Sequence, residues 1–472
     1  MYRNLSLMLS TSLLNSVRRS PAFRLLRRLA PSTFDLLEPS IQRRMASGAI
    51  WSLFGAGLAS GLAMLSNIGC ARILGSTHFG QLGIVLVTTN LFTTVFTAGL
   101  SMTATRYVAE LRDTDSVQAG VVIGLSTATS VIVGAFIACT VGLLAPWISH
   151  HLLNAPELST PLVMGAAAMF FAAMNGSQTG TLSGFEAFAQ IAMGNLIRGI
   201  SILLLVMTGA WFRGLSGALL GYVAVGAVTA VFYQIVVRRE CRRRSIAISY
   251  RFDRKALAIL WRFTVPVLLS NFSFTPAAWW SNVLLARRSG YAEAGIFNAV
   301  YNWQMFITFF STAVSSIGLP MLSNVRSCGE PIKYKRCLKT NFILISLPAV
   351  VVAVPVMLGA KYILQMYGPA FAHGVPALIL IAVAAVLTAI NIPVGHAIWS
   401  LDATVAAMLL AGLNGVTLVV GAYTLTLYGA AGLAGAYVLM GLVQTAVNVP
   451  FIFWLLRKRF SHAFEPESVI AA

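Results

Sequence analysis

Apolar residues run along this chain in blocks of about 20, the length a helix needs to cross the hydrocarbon of a bilayer. They occupy residues 46–70, 81–103, 119–145, 161–180, 190–211, 214–237, 259–285, 293–317, 340–360, 375–396, 403–425 and 431–455, with short polar or basic stretches between. Backbone groups in lipid must be bonded within the membrane, and separate blocks of this length do so as helices. The pattern predicts an all-α integral membrane protein with twelve transmembrane helices.

The pattern also repeats. Ser66–Ala98 lies without a gap on Ser281–Ala313 at an offset of 215 residues, pairing Ser66/Ser281, Asn67/Asn282, Ala71/Ala286, Arg72/Arg287, Gly75/Gly290 and Gly80/Gly295. Shared hydrophobicity would match apolar letters, but not an Arg, an Asn and two Gly in register. The offset persists to Gly214, Gly217 and Tyr222, which fall on Gly429, Gly432 and Tyr437. Six spans per copy is an even number, so both copies enter the membrane in the same sense. The expected layout is two six-helix lobes around a central cavity, related by a pseudo-two-fold axis along the membrane normal. The expected divisions are a basic tail 1–45, an N-lobe 46–237, a basic linker 238–258, a C-lobe 259–456 and a C-terminal tail 457–472.

Composition agrees: of 472 residues 57% are hydrophobic and 10% charged, against about 25% charged in a soluble domain. The net charge of +19 is chiefly a topology signal. With both termini placed in the cytosol, 27 Lys and Arg fall in inside segments and 5 in outside ones, as the positive-inside rule requires. The run Arg238–Lys255 then faces anionic lipid heads rather than nucleic acid. In the tail, PAFRLLRRLA (Pro21–Ala30) sets Phe23, Leu26 and Leu29 opposite Arg24, Arg27 and Arg28. It suits a helix lying on an anionic leaflet or a solvated tail; a start at Met45 and an organelle transit peptide are further readings. The five Cys show no metal spacing and read as structural or incidental.

No catalytic constellation is visible: there is no Walker loop, HExxH, CxxC or nucleophile elbow. No cofactor or metal is expected, and the pair His150-His151 reads as an interfacial loop. Carboxylates such as Glu110, Glu157, Glu186, Glu293 and Asp402 fall in loops or near span ends, none in mid-membrane, which disfavours a carrier of cationic drugs. The basic residues say the opposite. Arg198 in the fifth span either faces a cavity, where a guanidinium binds phosphate or pyrophosphate, or snorkels to the interface. Arg72 and Arg287 are repeat mates at outer span ends, and Arg288 doubles the second charge. In the eighth span Asn298, Tyr301, Asn302 and Met305 share a helical face, with Trp303 and Gln304 beside them. Aromatic rings and amides hold sugars, although a polar helix–helix seam needs the same residues. The candidate substrate-binding set is Arg72, Arg198, Arg287, Arg288, Asn298, Tyr301, Asn302 and Gln304, with second-lobe contacts the first place to look for glycan. Pro266, Pro276 and Pro393 interrupt their spans.

Several motifs together carry a resemblance: ARILGSTHFGQLG (Ala71–Gly83), TRYVAELRD (Thr105–Asp113), TLSGFEAF (Thr181–Phe188), LPMLSN (Leu319–Asn324), ILQMYGPAF (Ile363–Phe371) and LYGAAGLAGAYV (Leu427–Val438). Over roughly residues 45–460 the chain resembles the polysaccharide-biosynthesis flippases of the multidrug/oligosaccharidyl-lipid/polysaccharide exporter superfamily. The resemblance implies a cationic cavity between the lobes, alternating access and an undecaprenyl-diphosphate glycan as cargo. It also implies residence in the cell (inner) membrane and work beside a polysaccharide polymerase and chain-length machinery. A flippase of peptidoglycan precursors shares the fold and is the first alternative. A multidrug exporter is weakened by the missing carboxylate, and a membrane glycan ligase or acyltransferase by the short outer loops.

Overall fold

The computed structural model describes residues 39–250, 274–327, 331–401 and 403–460, and every regular element among them is a helix. The tail 1–38, the run 251–255, the block portion 259–273 with Pro266 and the end 461–472 lie outside the described residues. The helices are α1 Pro39–Leu111, α2 Ser116–Trp147, α3 Ser159–Gly184, α4 Phe188–Ser201, α5 Met207–Arg243 and α6 Thr275–Ser289. They continue as α7 Tyr291–Ser327, α8 Pro331–Leu358, α9 Ala360–Tyr367, α10 Val375–Ser400, α11 Thr404–Leu425 and α12 Gly429–Phe460.

Glycines decide where the longest of these turn. The 73 residues of α1 would run about 110 Å if straight, far beyond the hydrocarbon. The helix breaks instead at Gly75 (φ 72°, ψ 173°), a conformation L side chains rarely adopt. Its repeat mate Gly290 closes α6 with φ 89° and ψ 166°. Gly214 breaks α5 at φ 57°, ψ −135°, and its mate Gly429 opens α12 at φ 67°, ψ −146°. Two identities found by sliding the sequence are thus two matched backbone breaks.

Seven helical stretches among the described residues are long and apolar enough to cross a membrane: Gly55–Thr94, Ser116–Leu152, Pro156–Gly184, Phe188–Arg243, Ile332–Leu358, Pro369–Ser400 and Val405–Lys458. Phe188–Arg243 and Val405–Lys458 contain 56 and 54 residues, and each holds one of the glycine breaks. The 37-residue α7 is also long enough to cross. Large apolar side chains point outward, as on α2 with Ile132, Phe136 and Leu143, the surface a lipid-facing helix presents. Aromatics stand exposed at helix ends: Trp147, Trp211, Tyr362 and Tyr423 on turns expected at one face, Trp399 and Trp454 at the other.

The largest buried cluster joins both halves of the chain, with Phe79, Leu82 and Val85 packed among Leu285, Phe297 and Val300. A second cluster draws only on residues 108–246, and a third only on residues 322–456. At the seam between α1 and α7 the backbones nearly touch. A Cβ on Gly80 would overlap the carbonyl oxygen of Tyr291, and one on Gly295 would overlap that of Ser76. These contacts exchange under the offset of 215, which carries Ser76 to Tyr291 and Gly80 to Gly295. One turn on, Asn298 fills the space opposite its own mate, Gly83.

A polar cavity around Arg198

The described structure holds a cavity of about 510 Å³ in the first half of the chain, among α1, α3, α4 and α5. Its shape follows from how α4 is docked. Small residues let α4 lie close on α1: Gly55 faces Ala192, and Gly199 faces Ala59. With Ala192 and Gly199 turned to α1, the residues Asn195, Arg198 and Ile202 line the cavity, three and four positions apart on one helical face. Directly after α4 comes a π-helical segment, Ile202–Val206, a local widening that leaves helical carbonyls in need of donors. The Ser66 hydroxyl donates to one of them, Ile202 O, at 3.2 Å.

Amides and hydroxyls supply most of the remaining polar wall. Asn90 projects from α1 and Asn175 from α3, with Thr89, Thr93, Thr179, Tyr222 and Tyr233 around them. Asn175 Nδ2 donates to Gly226 O at 3.3 Å, while its Oδ1 is buried without a partner. Thr89 and Thr179 donate their hydroxyl protons to carbonyls of their own helices, so their oxygens remain as acceptors. Tyr233 OH lies 3.5 Å from Asn195 Oδ1. Its ring occupies the space over Gly194, where a Cβ would come within 2.6 Å of the hydroxyl oxygen.

Arg198 is the one charged residue lining this cavity. It sits about 15 Å along α4 from the helix start. Among the described residues no carboxylate pairs with it, whereas Arg112 is held by Glu186 at 2.6 Å and Asp113 at 3.1 Å. A guanidinium offers five donors in a planar fork suited to phosphate oxygens. The surrounding amides read hydroxyls, and the tyrosine rings offer flat apolar faces. An anion carrying a hydroxyl-rich group matches this wall. A cation does not, since no carboxylate lines it.

The other candidates from the sequence lie elsewhere. Arg72 Nε donates to Met366 O at 2.6 Å, a contact between the two halves. Arg288 donates through Nη1 to Tyr423 O and stacks its guanidinium 4.1 Å from the centre of that ring. Arg287 is exposed at the end of α6. Asn298 packs in the seam, and Asn302 Nδ2 donates to Asn298 O at 2.8 Å, within its own helix. Tyr301 packs against Phe297 and Tyr437 at 5.9 and 5.8 Å between ring centres. Gln304 is buried, with Oε1 lacking a partner. Arg198 is therefore separated from the rest of the set, and its neighbours are first-half residues. Asn90, Asn175 and Asn195 are visible in the sequence only as amides within apolar blocks, and Thr89, Thr93, Thr179, Tyr222 and Tyr233 carry no signal of a site there. Their convergence needs four helices in place.

Residues 45–325, more than half of the chain, match the polysaccharide biosynthesis protein family. No curated protein matches the chain. Among solved structures it is similar to an inward-facing multidrug resistance MATE family transporter of the MOP superfamily, at 17% identity and TM-score 0.72, over 89% of this chain and 100% of that one. An outward-facing transporter of the same kind fits less closely, at 17% identity and TM-score 0.62, over 88% and 96%. The lipid II flippase MurJ in an inward closed conformation gives 13% identity and TM-score 0.70, over 88% of each chain. At such identities the likeness is one of fold: this is a multi-span membrane protein with the architecture of MOP-superfamily transporters. By its sequence the chain belongs to the polysaccharide biosynthesis protein family.

Proposed function

We propose that this member of the polysaccharide biosynthesis protein family flips a polyprenyl-diphosphate-linked oligosaccharide from the cytosolic to the outer leaflet, for export of a surface polysaccharide. The carrying observation is the first-half cavity, where Arg198 is the lone lining charge among amides, hydroxyls and tyrosine rings. A pyrophosphate with its first sugars presents the matching anion and hydroxyls. Family membership points the same way. In this reading the protein is a transporter, not an enzyme, working by alternating access in the cell (inner) membrane.

The layout proposed with it is twelve spans in two six-helix lobes with both termini cytosolic. Each glycine-broken stretch then counts as two crossings, and blocks 259–285 and 293–317 supply the seventh and eighth. Arg72, Arg287, Arg288, Asn298, Tyr301, Asn302 and Gln304 are assigned to shaping the surface between the lobes. A polysaccharide polymerase and chain-length machinery are the expected partners. The test is a deletion strain complemented with Arg198→Ala. Surface glycan should fall at least tenfold while the lipid-linked unit accumulates inside, and wild-type surface glycan with no accumulation would refute the site.

A peptidoglycan-precursor flippase is the second reading, favoured by the fold shared with MurJ. Its cargo also carries a polyprenyl diphosphate. Deletion separates the two, because loss of such a flippase is lethal when no other protein performs the step, whereas loss of a surface-glycan flippase leaves cells that divide.

A further inference from the structure

The seam between the halves carries an inference about how the molecule closes. Gly80 and Gly295 occupy the same position of the repeat, and their backbones meet so closely that neither tolerates a Cβ. A methyl on Gly80 would overlap Tyr291 O and lie 2.7 Å from Gly295 N; one on Gly295 would overlap Ser76 O and lie 3.0 Å from Gly80 N. Small residues allow helices in lipid to approach to backbone contact, where carbonyl oxygens face Cα hydrogens. Around this point stand contacts between the halves at the same face. Arg72 Nε donates to Met366 O at 2.6 Å, Tyr291 OH donates to Leu153 O at 3.1 Å, and Phe79 meets Phe371 edge to face at 6.1 Å. Farther along the helices Trp279 Nε1 donates to Thr88 Oγ1 at 3.0 Å.

We propose that the Gly80–Gly295 contact seats a closed seal on this face, and that the missing side chain at both positions sets the balance between closed and open forms. The two halves meet here as nearly identical surfaces around a pseudo-two-fold axis, so neither glycine is privileged and alanine at either acts alike. The neighbouring Gly83 differs. A Cβ there would meet the Asn298 side chain at 2.8 Å, and that side chain can swing away. Gly61 has nothing within 4 Å of a Cβ and serves as the neutral comparison. The better fit to the inward-facing transporter than to the outward-facing one agrees with a seal on the face proposed above to be outer.

The inference rests on the transport reading for its purpose, but its test needs no cargo and so fails separately. Thr88→Cys in a cysteine-free background places a thiol at a fully buried position beneath the seal. An impermeant maleimide applied from the outer face should label it slowly in the parent. Gly80→Ala and Gly295→Ala should each raise the rate at least fivefold and to similar extents, Gly83→Ala should raise it less, and Gly61→Ala should leave it unchanged. Equal rates in the parent and both seal variants, in protein that elutes as one folded species, would overturn the proposal, as would a Gly83→Ala effect as large as theirs. If an alanine variant does not fold, a disulfide between Phe79→Cys and Phe371→Cys decides instead. Once mass spectrometry shows that this disulfide has formed, oxidation should slow labelling of Thr88→Cys at least fivefold and reduction should restore it, whereas a rate indifferent to the formed bridge would overturn the seal.

Discussion

At the scale of single residues, Arg198 carries the functional reading. A hydrogen bond to a charged partner contributes about 1.5–3 kcal/mol, which is roughly 10- to 150-fold in binding. Arg198→Ala should lose that much affinity for a polyprenyl-diphosphate glycan in a titration with purified protein. Arg198→Lys keeps the charge without the planar fork and should fall between wild type and alanine. Gly194→Ala should harm the site indirectly, since its methyl would meet the Tyr233 ring and drive it toward the cavity. That variant should weaken binding while sparing Arg198. The sequence reveals the guanidinium within an apolar block. It does not reveal which amides surround it, because Asn90, Asn175 and Asn195 are brought together by tertiary packing.

Cysteine chemistry is a second matter at this scale. Burial, with Glu240 adding to it, pushes the Cys241 thiol up to about 11, and burial pushes Cys337 up to about 11. Only the thiolate reacts, so about one thiol in ten thousand is reactive at pH 7. Maleimide labelling of both should be very slow at neutral pH and climb tenfold per unit as pH rises toward 11, measured by mass spectrometry on intact protein. Rapid labelling at pH 7 would contradict the buried placement.

At the scale of elements, glycines and short polar contacts set where helices end. The clearest case is the start of α12. Glu293 Oε2 accepts from Ala430 N at 2.7 Å, and its Oε1 accepts from His373 Nε2 at 3.0 Å. One carboxylate at the head of α7 thereby caps α12 and holds the segment before α10. Loss of a cap costs about 0.5–2 kcal/mol, so Glu293→Ala should lower the melting temperature of the purified protein by a few degrees. Gly429→Ala should cost more, because φ is 67° there and its Cβ would overlap the Glu293 carboxylate. A melting temperature unchanged in both would remove the cap from the account. Sequence reading placed Glu293 near a span end but could not see its partners, which lie 80 and 137 residues away.

The amides of α7 show the opposite limit of sequence reading. Helical periodicity correctly puts Asn298 and Asn302 on one face. It cannot tell that Asn302 spends its donor on Asn298 O, four residues back, or that Asn298 fills the gap over Gly83. The same residue types serve a sugar site or a seam, and only the neighbours decide. Elsewhere amides join helices outright: Asn391 Nδ2 donates to Thr445 Oγ1 at 2.8 Å, and Asn448 Nδ2 to Asn391 Oδ1 at 3.3 Å, between α10 and α12.

At the scale of the whole molecule, duplication was the most legible feature. Gly75/Gly290 and Gly214/Gly429, paired by letter, share matched backbone breaks, and Gly80/Gly295 meet at the seam. The apolar character and the family likeness were equally readable, because hydrophobic length and motif order lie along the chain. What the sequence could not foretell was the split in the polar chemistry. The polar cavity with its guanidinium lies in the first half, while the second-half residues expected to touch glycan largely pack helices and the seam. A symmetric scaffold with its anion site in one half is the account that results.

The most direct test of that account is translocation in proteoliposomes. Purified protein would be reconstituted with a polyprenyl-diphosphate oligosaccharide, and arrival of the glycan in the opposite leaflet followed with a membrane-impermeant glycosidase or lectin. The account predicts translocation well above protein-free vesicles with wild-type protein, a loss of at least tenfold with Arg198→Ala, and partial activity with Arg198→Lys. Translocation by Arg198→Ala at the wild-type rate would contradict the anion site. No translocation by folded wild-type protein, supplied with the glycan that its own cells assemble, would contradict the proposed function itself.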